Sequence, residues 1–333
     1  MPSCSSAAPS DDAIRAVLEG AHAAEPLGRI VQLERRVSPT GTSFRLEEID
    51  LALETGTRVA LLFKDLSRGA LLDAAANVKP AFVHDPLREI VMYRDILRGV
   101  PGVARYVASA ADVEAERYWL FLERVQGVEL FQLRGMDHWR QVAGWIAAFH
   151  RRFEAQGPPA DAVAHLIACD RAYYRRWSTR ARTFTRPDDH RRLAALDRFD
   201  DQFDAVLSGA GAGGYGLTHG ELYASNILVN PGATPPRICP VDWEMAGLGP
   251  SLLDLAALTG GRWTETDQAS IVDAYYQARL SDVPYDSFLA ALACCHALLA
   301  VQWLGWASDW IPPAEHRHDW VDDLAHWLER ARG

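Results

Sequence analysis

Cysteine is scarce in this chain, and basic residues do not outnumber acidic ones. The five cysteines are an odd number without a Cys-x-x-Cys spacing, so a disulfide framework is not expected. Cys294 and Cys295 are adjacent, and this predicts reduced, buried thiols. Lysine and arginine total 34 against 44 acidic residues, and the resulting net charge of −10 argues against a nucleic-acid-binding protein.

Signals for export, membrane insertion and internal repetition are also missing. Residues Met1–Ser10 lack the basic and then apolar regions of a signal peptide, which predicts a cytoplasmic protein. The most apolar stretch, Phe288–Trp306, contains His296 and Gln302 and therefore favours a core helix over a membrane span. With 49% hydrophobic residues over 333 positions, the chain has ample material for a globular core.

Strand-like and helix-like patterns occupy different parts of the chain. Apolar and β-branched runs predict strands at Ile30–Leu33, Phe44–Leu53, Arg58–Phe63 and Tyr118–Glu123. Helical spacing predicts helices at Asp12–Ala24, Pro86–Arg98, Thr266–Arg279, Asp286–Trp306 and His318–Arg330, and a further helix capped by Asp137 and ended by Gly157. Five glycines within Ser208–Gly216 predict a flexible connection.

An arginine-rich segment interrupts the acidic trend. Nine arginines lie from Arg171 to Arg198, and within that span only Asp188, Asp189 and Asp197 oppose them. Such a run is typical of a solvated helix face. The alternative is a surface for an anionic substrate or an acidic partner, and the sequence leaves both open.

Polar residues cluster around two short strands in the stretch 217–256. His219, Glu221 and Asn226 precede the apolar run Ile227–Val229, and Asp242 directly follows a second run, Ile238–Val241. Carboxylates and an amide at the mouths of adjacent strands form an oxygen-rich site suited to Mg²⁺ and to a hydroxyl awaiting deprotonation. Phosphoryl transfer needs this arrangement, because it depends on positioning and charge neutralisation.

The same stretch resembles the catalytic core of the aminoglycoside phosphotransferase family, relatives of the choline kinases and, more distantly, of protein kinases. The family pattern is His-Gly-Asp, a later Asn, Ile-Asp-Trp-Glu, and then Gly followed by Asp-Leu-Ala. This chain has His219-Gly220, Asn226, Asp242-Trp243-Glu244, Gly249 and Asp254-Leu255-Ala256. It departs from the pattern at Glu221, where the family has its catalytic Asp, and at Tyr223, where His is common.

The resemblance implies an α+β, protein-kinase-like fold of two lobes. Residues 1–25 would form a tail and a short helix, residues 26–124 an N-terminal lobe with a small antiparallel sheet, and residues 125–333 a mainly helical C-terminal lobe. The implied cofactors are ATP and Mg²⁺.

The resemblance also implies a nucleotide site in the N-terminal lobe. Lys64 would bind the phosphates of ATP while paired with Glu89, and the turn that contains Thr42 would cover the phosphates with backbone N–H groups. Adenine would meet the backbone of Glu123 and Val125. The residues alone leave simpler alternatives open: an ordinary hairpin turn, a solvated lysine, and a surface ion pair between Glu89 and its neighbour Arg88.

In the C-terminal lobe the resemblance gives Glu221 the role of catalytic base or hydroxyl-orienting group. Asn226 and Asp242 would be the Mg²⁺ ligands. His219 and Asp254 would brace the loop through backbone hydrogen bonds, and neither Trp243 nor Glu244 has an assigned role.

The expected activity is therefore transfer of the γ-phosphate of ATP to a hydroxyl of a small molecule such as an amino sugar, nucleoside, amino alcohol or natural product. No nucleic-acid or membrane partner is expected, and the protein would be a monomer or a homodimer. One alternative is a kinase acting on Ser or Thr of a peptide, which the arginine-rich segment would favour. The other is a catalytically silent nucleotide-binding scaffold, which only Glu221 favours.

Overall fold

The computed structural model describes residues 8–20, 23–39, 43–280, 282–306 and 318–331. The chain divides into two compact units, Met1–Gly127 with Cys239–Glu244, and Val128–Ile238 with Met245–Gly333. The sequence pattern predicts a boundary between residues 124 and 125, close to the first of these divisions. It does not predict that the segment Cys239–Glu244, which carries Asp242, belongs to the first unit.

An antiparallel sheet forms the centre of the first unit. Its strands are β1 (Ile30–Val37), β2 (Leu46–Leu53), β3 (Arg58–Asp65), β4 (Tyr106–Asp112) and β5 (Arg117–Glu123). They pair in the order β1-β2-β3-β5-β4. Alternate residues of β2 are buried, as expected for a strand with one face on the core. β4 is not predicted from the sequence, because its small residues show neither alternation nor β-branching.

A short N-terminal helix packs on this sheet. α1 (Asp11–Glu19) is capped by the Ser10 side chain, and its residues Ile14 and Leu18 are fully buried in a cluster with Ile49 of β2. The predicted end of this helix at Ala24 is wrong. Gly20 ends it earlier, in an extended conformation.

The helix that carries Glu89 is irregular. After α2 (Asp73–Val78), the chain forms only one regular turn, α3 (Arg88–Val91), and continues as a π-helical turn over Met92–Ile96. The prediction of an ordinary helix over Pro86–Arg98 is therefore only partly correct. A π-helical turn is rare and is often found at functional sites.

The second unit is mainly helical. Its helices are α4 (Met136–Gln156), α5 (Ala160–Val163), α6 (Arg171–Thr183), α7 (His190–Ala212), α8 (Leu252–Thr259), α9 (Glu265–Arg279), α10 (Tyr285–Leu304) and α11 (Trp320–Arg330). Its short strands are β6 (Val128–Glu129), β7 (Ile167–Ala168), β8 (Tyr215–Thr218), β9 (Ile227–Asn230) and β11 (Gly247–Pro250). A further strand, β10 (Arg237–Pro240), begins in this unit and ends in the segment Cys239–Glu244 of the first unit. They pair in the orders β10-β9-β6 and β7-β11-β8. Together with the antiparallel sheet of the first unit, this confirms the predicted α+β class.

Glycines in the second half of α7 allow close helix packing. The prediction of a flexible connection over Ser208–Gly216 is wrong, because the helix continues to Ala212. A β-carbon at Gly209 would lie 2.7 Å from Cys294 Sγ of α10, and one at Gly213 would overlap a methyl group of Leu252. These glycines therefore serve close approach between neighbouring elements, not flexibility.

The start of α4 also differs from its prediction. The helix begins after Gly135, and Asp137 lies inside the first turn instead of capping it. Its carboxylate there is near the positive end of the helix dipole and pairs with Arg140. The predicted end at Gly157 is observed.

α10 is a long and strongly apolar helix. By length and composition it could cross a membrane, yet 83% of its most apolar window is buried inside the protein. His296 and Gln302 on this helix are buried as well. This burial is typical of a core helix.

The arginine-rich segment makes most of its contacts with carboxylates and carbonyls from outside its own span. Asp200, on the next turns of α7, accepts from Arg175 and Arg182, and Asp319 and Asp322 of α11 pair with Arg191. Further arginines of the segment reach Asp204, Asp188, Glu329 and the backbone carbonyls of residues 304–306. These contacts join α6, α7 and the C-terminal helices, so the segment is neither a plain solvated face nor an evident anion site.

His296 gives a prediction for acid stability. Burial, together with the nearby His326 and His318, lowers the pKa of His296 to about 3. Its ring is stacked on Trp327, with centroids 4.0 Å apart, and it contacts the Thr259 hydroxyl. Because the unfolded state takes up this proton below about pH 6.5 and the folded state does not, folding stability should fall as the pH drops from 6.5 toward 3.

Thermal unfolding of the His296→Gln variant between pH 7.5 and 4.5 tests this expectation. The variant should lose less stability than the parent over this interval, by an amount on the order of 2 kcal/mol. His190→Gln, at an exposed position in α7, is the matched control and should keep the parent's slope. Equal slopes in all three proteins would contradict the assignment to His296.

Candidate active site

The first unit places a buried ammonium group between two carboxylates. Lys64 Nζ, near the end of β3, lies 2.6 Å from Glu89 Oε2 and 2.6 Å from Asp242 Oδ1. The side chains of Lys64 and Glu89 are 8% and 4% exposed, whereas that of Asp242 is 24% exposed. Glu89, the predicted partner of Lys64, is thus in contact with it, and their role toward nucleotide phosphates stays a prediction.

The local structure explains why these groups converge. Lys64 lies in the interior of the sheet, opposite Leu46 of β2 and Leu120 of β5. Asp242 follows β10 with a φ of +66°, in the left-handed region that side chains with a β-carbon rarely adopt. Such backbone conformations persist where the surroundings hold them, and they cluster at functional sites.

The electrostatics of this cluster keep Lys64 charged. Burial by itself lowers the pKa of Lys64, but the carboxylates of Asp242, Glu89 and, further, Glu244 outweigh burial and raise it above its usual value. Burial raises the pKa of Glu89 to about 7, and attraction to Lys64 opposes this rise. A lysine held in this way presents a permanent positive charge at neutral pH.

Three residues without a predicted role complete the site in the first unit. The Lys79 ammonium forms a buried ion pair with Glu244, and the Ser43 hydroxyl donates to Glu244 Oε1 at 2.9 Å. Arg88 donates to the Glu244 carbonyl at 2.6 Å and to the Val83 carbonyl at 2.7 Å. Arg88 is therefore buried, and the suggested surface ion pair with Glu89 is wrong.

Glu123, Val125 and Thr42 are the other residues predicted to contact the nucleotide. Glu123 ends β5, where its backbone N–H donates to the Arg105 carbonyl and its carboxylate accepts from the Arg105 N–H. Val125 follows it on the way to the end of the unit at Gly127. Thr42 lies outside the described residues, so its predicted role is not addressed by the structure.

In the second unit, Asp254 organises the loop that follows β8. Its carboxylate accepts hydrogen bonds from the backbone N–H groups of His219 at 2.8 Å and Gly220 at 3.0 Å. His219 Nδ1 in turn accepts from the Glu221 N–H at 3.3 Å. This is the bracing role expected of His219 and Asp254, and it fixes the backbone just before Glu221.

Asp254 is itself held by a buried histidine. His150 Nε2, on α4, lies 3.1 Å from Asp254 Oδ2, and His150 Nδ1 lies 2.8 Å from the Tyr275 hydroxyl on α9. A carboxylate accepts hydrogen bonds, so a protonated Nε2 donates to Asp254, and Nδ1 lies at hydrogen-bond distance from the Tyr275 hydroxyl. All three side chains are buried, and the sequence alone gives no signal for this relay.

Gly220 is required by a close backbone approach. Its φ is +86°, and a β-carbon there would overlap the carbonyl oxygen of Met245. Only glycine satisfies both conditions.

Glu221 and Asn226 lie on the turn that follows. The carbonyl oxygen of Glu221 accepts from the Tyr223 N–H at 2.8 Å and from Asn226 Nδ2 at 2.9 Å. An amide whose nitrogen is held in this way presents its oxygen on the opposite side. The Glu221 side chain is half-buried, and the Tyr223 ring packs beside Trp303 at 5.3 Å.

The donor atoms available suit Mg²⁺ better than a metal whose ligands all come from protein side chains. Among the described residues, no three His, Cys, Asp or Glu side chains converge as a metal site. Mg²⁺ usually takes one or two protein oxygens and completes its shell with phosphates and water. The partly exposed carboxylate of Asp242 is such an oxygen, and the role of Asn226 toward a metal stays a prediction.

The comparisons with known proteins agree with this chemistry. Residues 63–292 match the model of the phosphotransferase enzyme family, APH. This chain belongs to that family. Among curated proteins, none matches this phosphotransferase significantly.

Solved structures show the fold of this phosphotransferase. It resembles a choline kinase from Cryptosporidium parvum Iowa II at 12% identity, with 90% of this chain and 89% of the other covered and a TM-score of 0.60. An aminoglycoside 2′-phosphotransferase-IIIa, determined as a GDP complex, gives 16% identity, 92% and 93% coverage and a TM-score of 0.57. An amicoumacin kinase bound to AMP-PNP, Ca²⁺ and amicoumacin is 13% identical, with 89% of this chain and 87% of the other covered and a TM-score of 0.57.

These similarities confirm the predicted family and the predicted kinase-like fold class. At such low identities they carry no information on the acceptor. The chain is a kinase-like phosphotransferase of small molecules at the level of its family.

Proposed function

We propose that this phosphotransferase transfers the γ-phosphate of ATP, bound as its Mg²⁺ complex, to a hydroxyl of a small molecule. The observation that carries this proposal is the buried Lys64 ammonium held between Glu89 and Asp242. A charged lysine fixed in this way neutralises phosphate oxygens, and the neighbouring Asp242 supplies a hard oxygen ligand for the metal.

Each side chain would contribute a separate effect. Lys64 would bind the phosphates, while Asp242 and Asn226 would hold Mg²⁺, which supplies charge neutralisation at the transferring phosphate. Glu221 would accept the proton of the acceptor hydroxyl, since it lies on a turn fixed by Asp254 and by the Asn226 amide. Positioning of this kind can supply much of the rate enhancement in phosphoryl transfer.

ATP is the preferred donor in this proposal, and GTP is the direct competitor. Among the similar structures, one holds AMP-PNP with Ca²⁺ and another holds GDP. The candidate acceptors are amino sugars, nucleosides, amino alcohols and related natural products.

A peptide acceptor is less well supported than the sequence suggests. The feature that favours it is the arginine-rich segment, and eight of those arginines already contact carboxylates or carbonyls of the protein. Internal pairing of this kind leaves little positive charge to recruit an acidic peptide.

Nucleotide binding can be tested without knowing the acceptor. MgATP should raise the melting temperature of the parent, because a ligand that binds only the folded state stabilises it by about 2.7 kcal/mol at 100 times its Kd. Asp242→Ala should lose most of this shift, since the variant lacks the carboxylate ligand of the metal. MgGTP and ATP with EDTA, measured alongside, report the nucleotide and metal preference.

The control for this experiment is Asp12→Ala, the same change at an exposed position of α1 in the same unit. It should keep the full MgATP shift. A parent without any shift would reject the proposed function, whereas an undiminished shift in Asp242→Ala would remove only Asp242 from the metal site.

A further inference from the structure

Lysine is almost absent from this protein. Of the 34 basic residues only two are lysines, Lys64 and Lys79, and all the others are arginines. Both lysines are buried in the first unit, and each pairs with a carboxylate of the segment Cys239–Glu244. A chain that uses arginine everywhere else thus has an ammonium group at two positions of one site.

The surroundings of Lys79 explain why an ammonium suits this position. Its side chain is 4% exposed, its Nζ pairs with Glu244, and it lies 5.1 Å from the centre of the Phe44 ring. The Lys64 ammonium lies 5.2 Å from the centre of the same ring. A compact ammonium can pair with one carboxylate against an aromatic ring, whereas a planar guanidinium needs room for five N–H donors.

This buried cluster contains equal numbers of basic and acidic side chains. Three cations, Lys64, Lys79 and Arg88, accompany three carboxylates, Glu89, Asp242 and Glu244. The pairing is nevertheless specific, because Arg88 donates to the Glu244 backbone carbonyl and the Ser43 hydroxyl that reaches its carboxylate is neutral. Of these contacts, only Lys79 brings positive charge to the Glu244 carboxylate.

We infer that Lys79 is a positioning residue that neutralises Glu244 and thereby keeps Lys64 available for Glu89, Asp242 and the phosphates of the nucleotide. The Lys64 and Lys79 ammonium groups lie against the same Phe44 ring, and the Glu244 carboxylate that pairs with Lys79 also attracts Lys64. Without Lys79, the buried Glu244 carboxylate would lack its paired cation, and Lys64 is the neighbouring cation that would pair with it instead. This inference rests on the proposed function, because it concerns the site that binds MgATP.

A double-mutant cycle of Lys79 and Glu244 distinguishes this positioning role from direct phosphate binding and from a role in stability alone. Lys79→Met should raise the Kd for MgATP by roughly tenfold or more, because Glu244 then competes for Lys64. Glu244→Gln alone should change this Kd by less, because it removes the competing charge. The double variant Lys79→Met/Glu244→Gln should return the Kd to within about threefold of the parent value, although Lys79 is still missing.

Each other outcome overturns the inference in a different way. If Lys79 itself bound the phosphates, the double variant would bind MgATP as weakly as Lys79→Met. If Lys79 served stability alone, Lys79→Met would lower the melting temperature and leave the Kd unchanged. The Kd is measured by isothermal titration calorimetry at a temperature at which all variants are folded by circular dichroism.

The matched control is Arg35→Met, on β1 of the same unit. Arg35 pairs with Glu47 at 2.7 Å, with 16% and 7% of the two side chains exposed, so its loss leaves this nearly buried carboxylate with only the longer, 3.7 Å contact to the exposed Arg45. This variant should lose stability and keep the parent Kd. If the parent protein fails to bind MgATP, the proposed function is rejected. If the parent and the Lys79→Met variant bind MgATP with the same Kd, only the role of Lys79 is rejected.

Discussion

Replacing Glu221 by Gln is expected to lower kcat by about 10²- to 10⁴-fold with a hydroxyl acceptor, while the affinity for MgATP changes little. The substitution keeps the size and shape of the side chain and removes the charge that would accept the proton. The loop should keep its geometry, because it is held by backbone contacts with Asp254 and by the Asn226 amide.

The same site gives a second variant, Glu221→Asp, which restores the residue type common in the family. It should also lose activity, because the shorter side chain withdraws the carboxylate by about 1 Å, and misplacement on that scale can cost about 10²-fold. Glu265→Gln, at an exposed position of α9, is the control and should keep the parent kcat.

These rates are measured with ATP and a panel of amino sugars, nucleosides, amino alcohols and Ser-containing peptides. A parent that turns over, with a Gln variant at full kcat, would remove Glu221 from the role of base. A parent that binds MgATP but phosphorylates no member of the panel would point to the scaffold alternative.

Asp254→Ala is expected to destabilise the protein by about 3–5 kcal/mol, because it leaves several buried groups without their partner. The carboxylate accepts from the backbone N–H groups of His219 and Gly220 and from His150, and of these residues His150 and His219 are buried. Loss of these contacts also frees the backbone that precedes Glu221. Where the variant still folds, kcat should therefore fall by about 10²-fold, with a small change in MgATP affinity.

A milder variant keeps this prediction testable if Asp254→Ala does not fold. Tyr275→Phe removes only the hydroxyl that contacts His150 Nδ1, and it should cost about 1 kcal/mol with little effect on kcat. Urea unfolding gives the stabilities. An Asp254→Ala protein with parent stability and parent kcat would show that the relay is not required to hold the loop.

Much of the site can be predicted from sequence because its members are close together along the chain. His219, Glu221 and Asn226 lie in one short stretch of the chain, and Asp242 directly follows a strand-like run, so each can be singled out without any tertiary contact. The strands of the first unit are predicted for a similar reason, since alternation and β-branching are local properties.

The missed features depend on contacts between distant parts of the chain. Lys79 and Glu244 are separated by 165 residues and meet only through the fold. The arginines of α6 find their carboxylates on α7, and Arg191 of α7 finds its own on α11. A signal for Lys79 did exist in the sequence, because it is one of only two lysines among 34 basic residues.

Glycine shows how one composition can support opposite predictions. The five glycines of Ser208–Gly216 suggest flexibility, yet Gly209 and Gly213 lie where α7 meets its neighbours closely. Sequence alone does not distinguish a glycine needed for turning from one needed for contact.

The membership of Cys239–Glu244 in the first unit has a consequence for synthesis on the ribosome. Residues up to Gly127 emerge well before this segment, because all of Val128–Ile238 is translated in between. In that interval Lys64, Lys79 and Arg88 have only Glu89 of their three carboxylates, and unpaired charges resist burial. The first unit is therefore completed late, when the nascent chain has grown past Glu244.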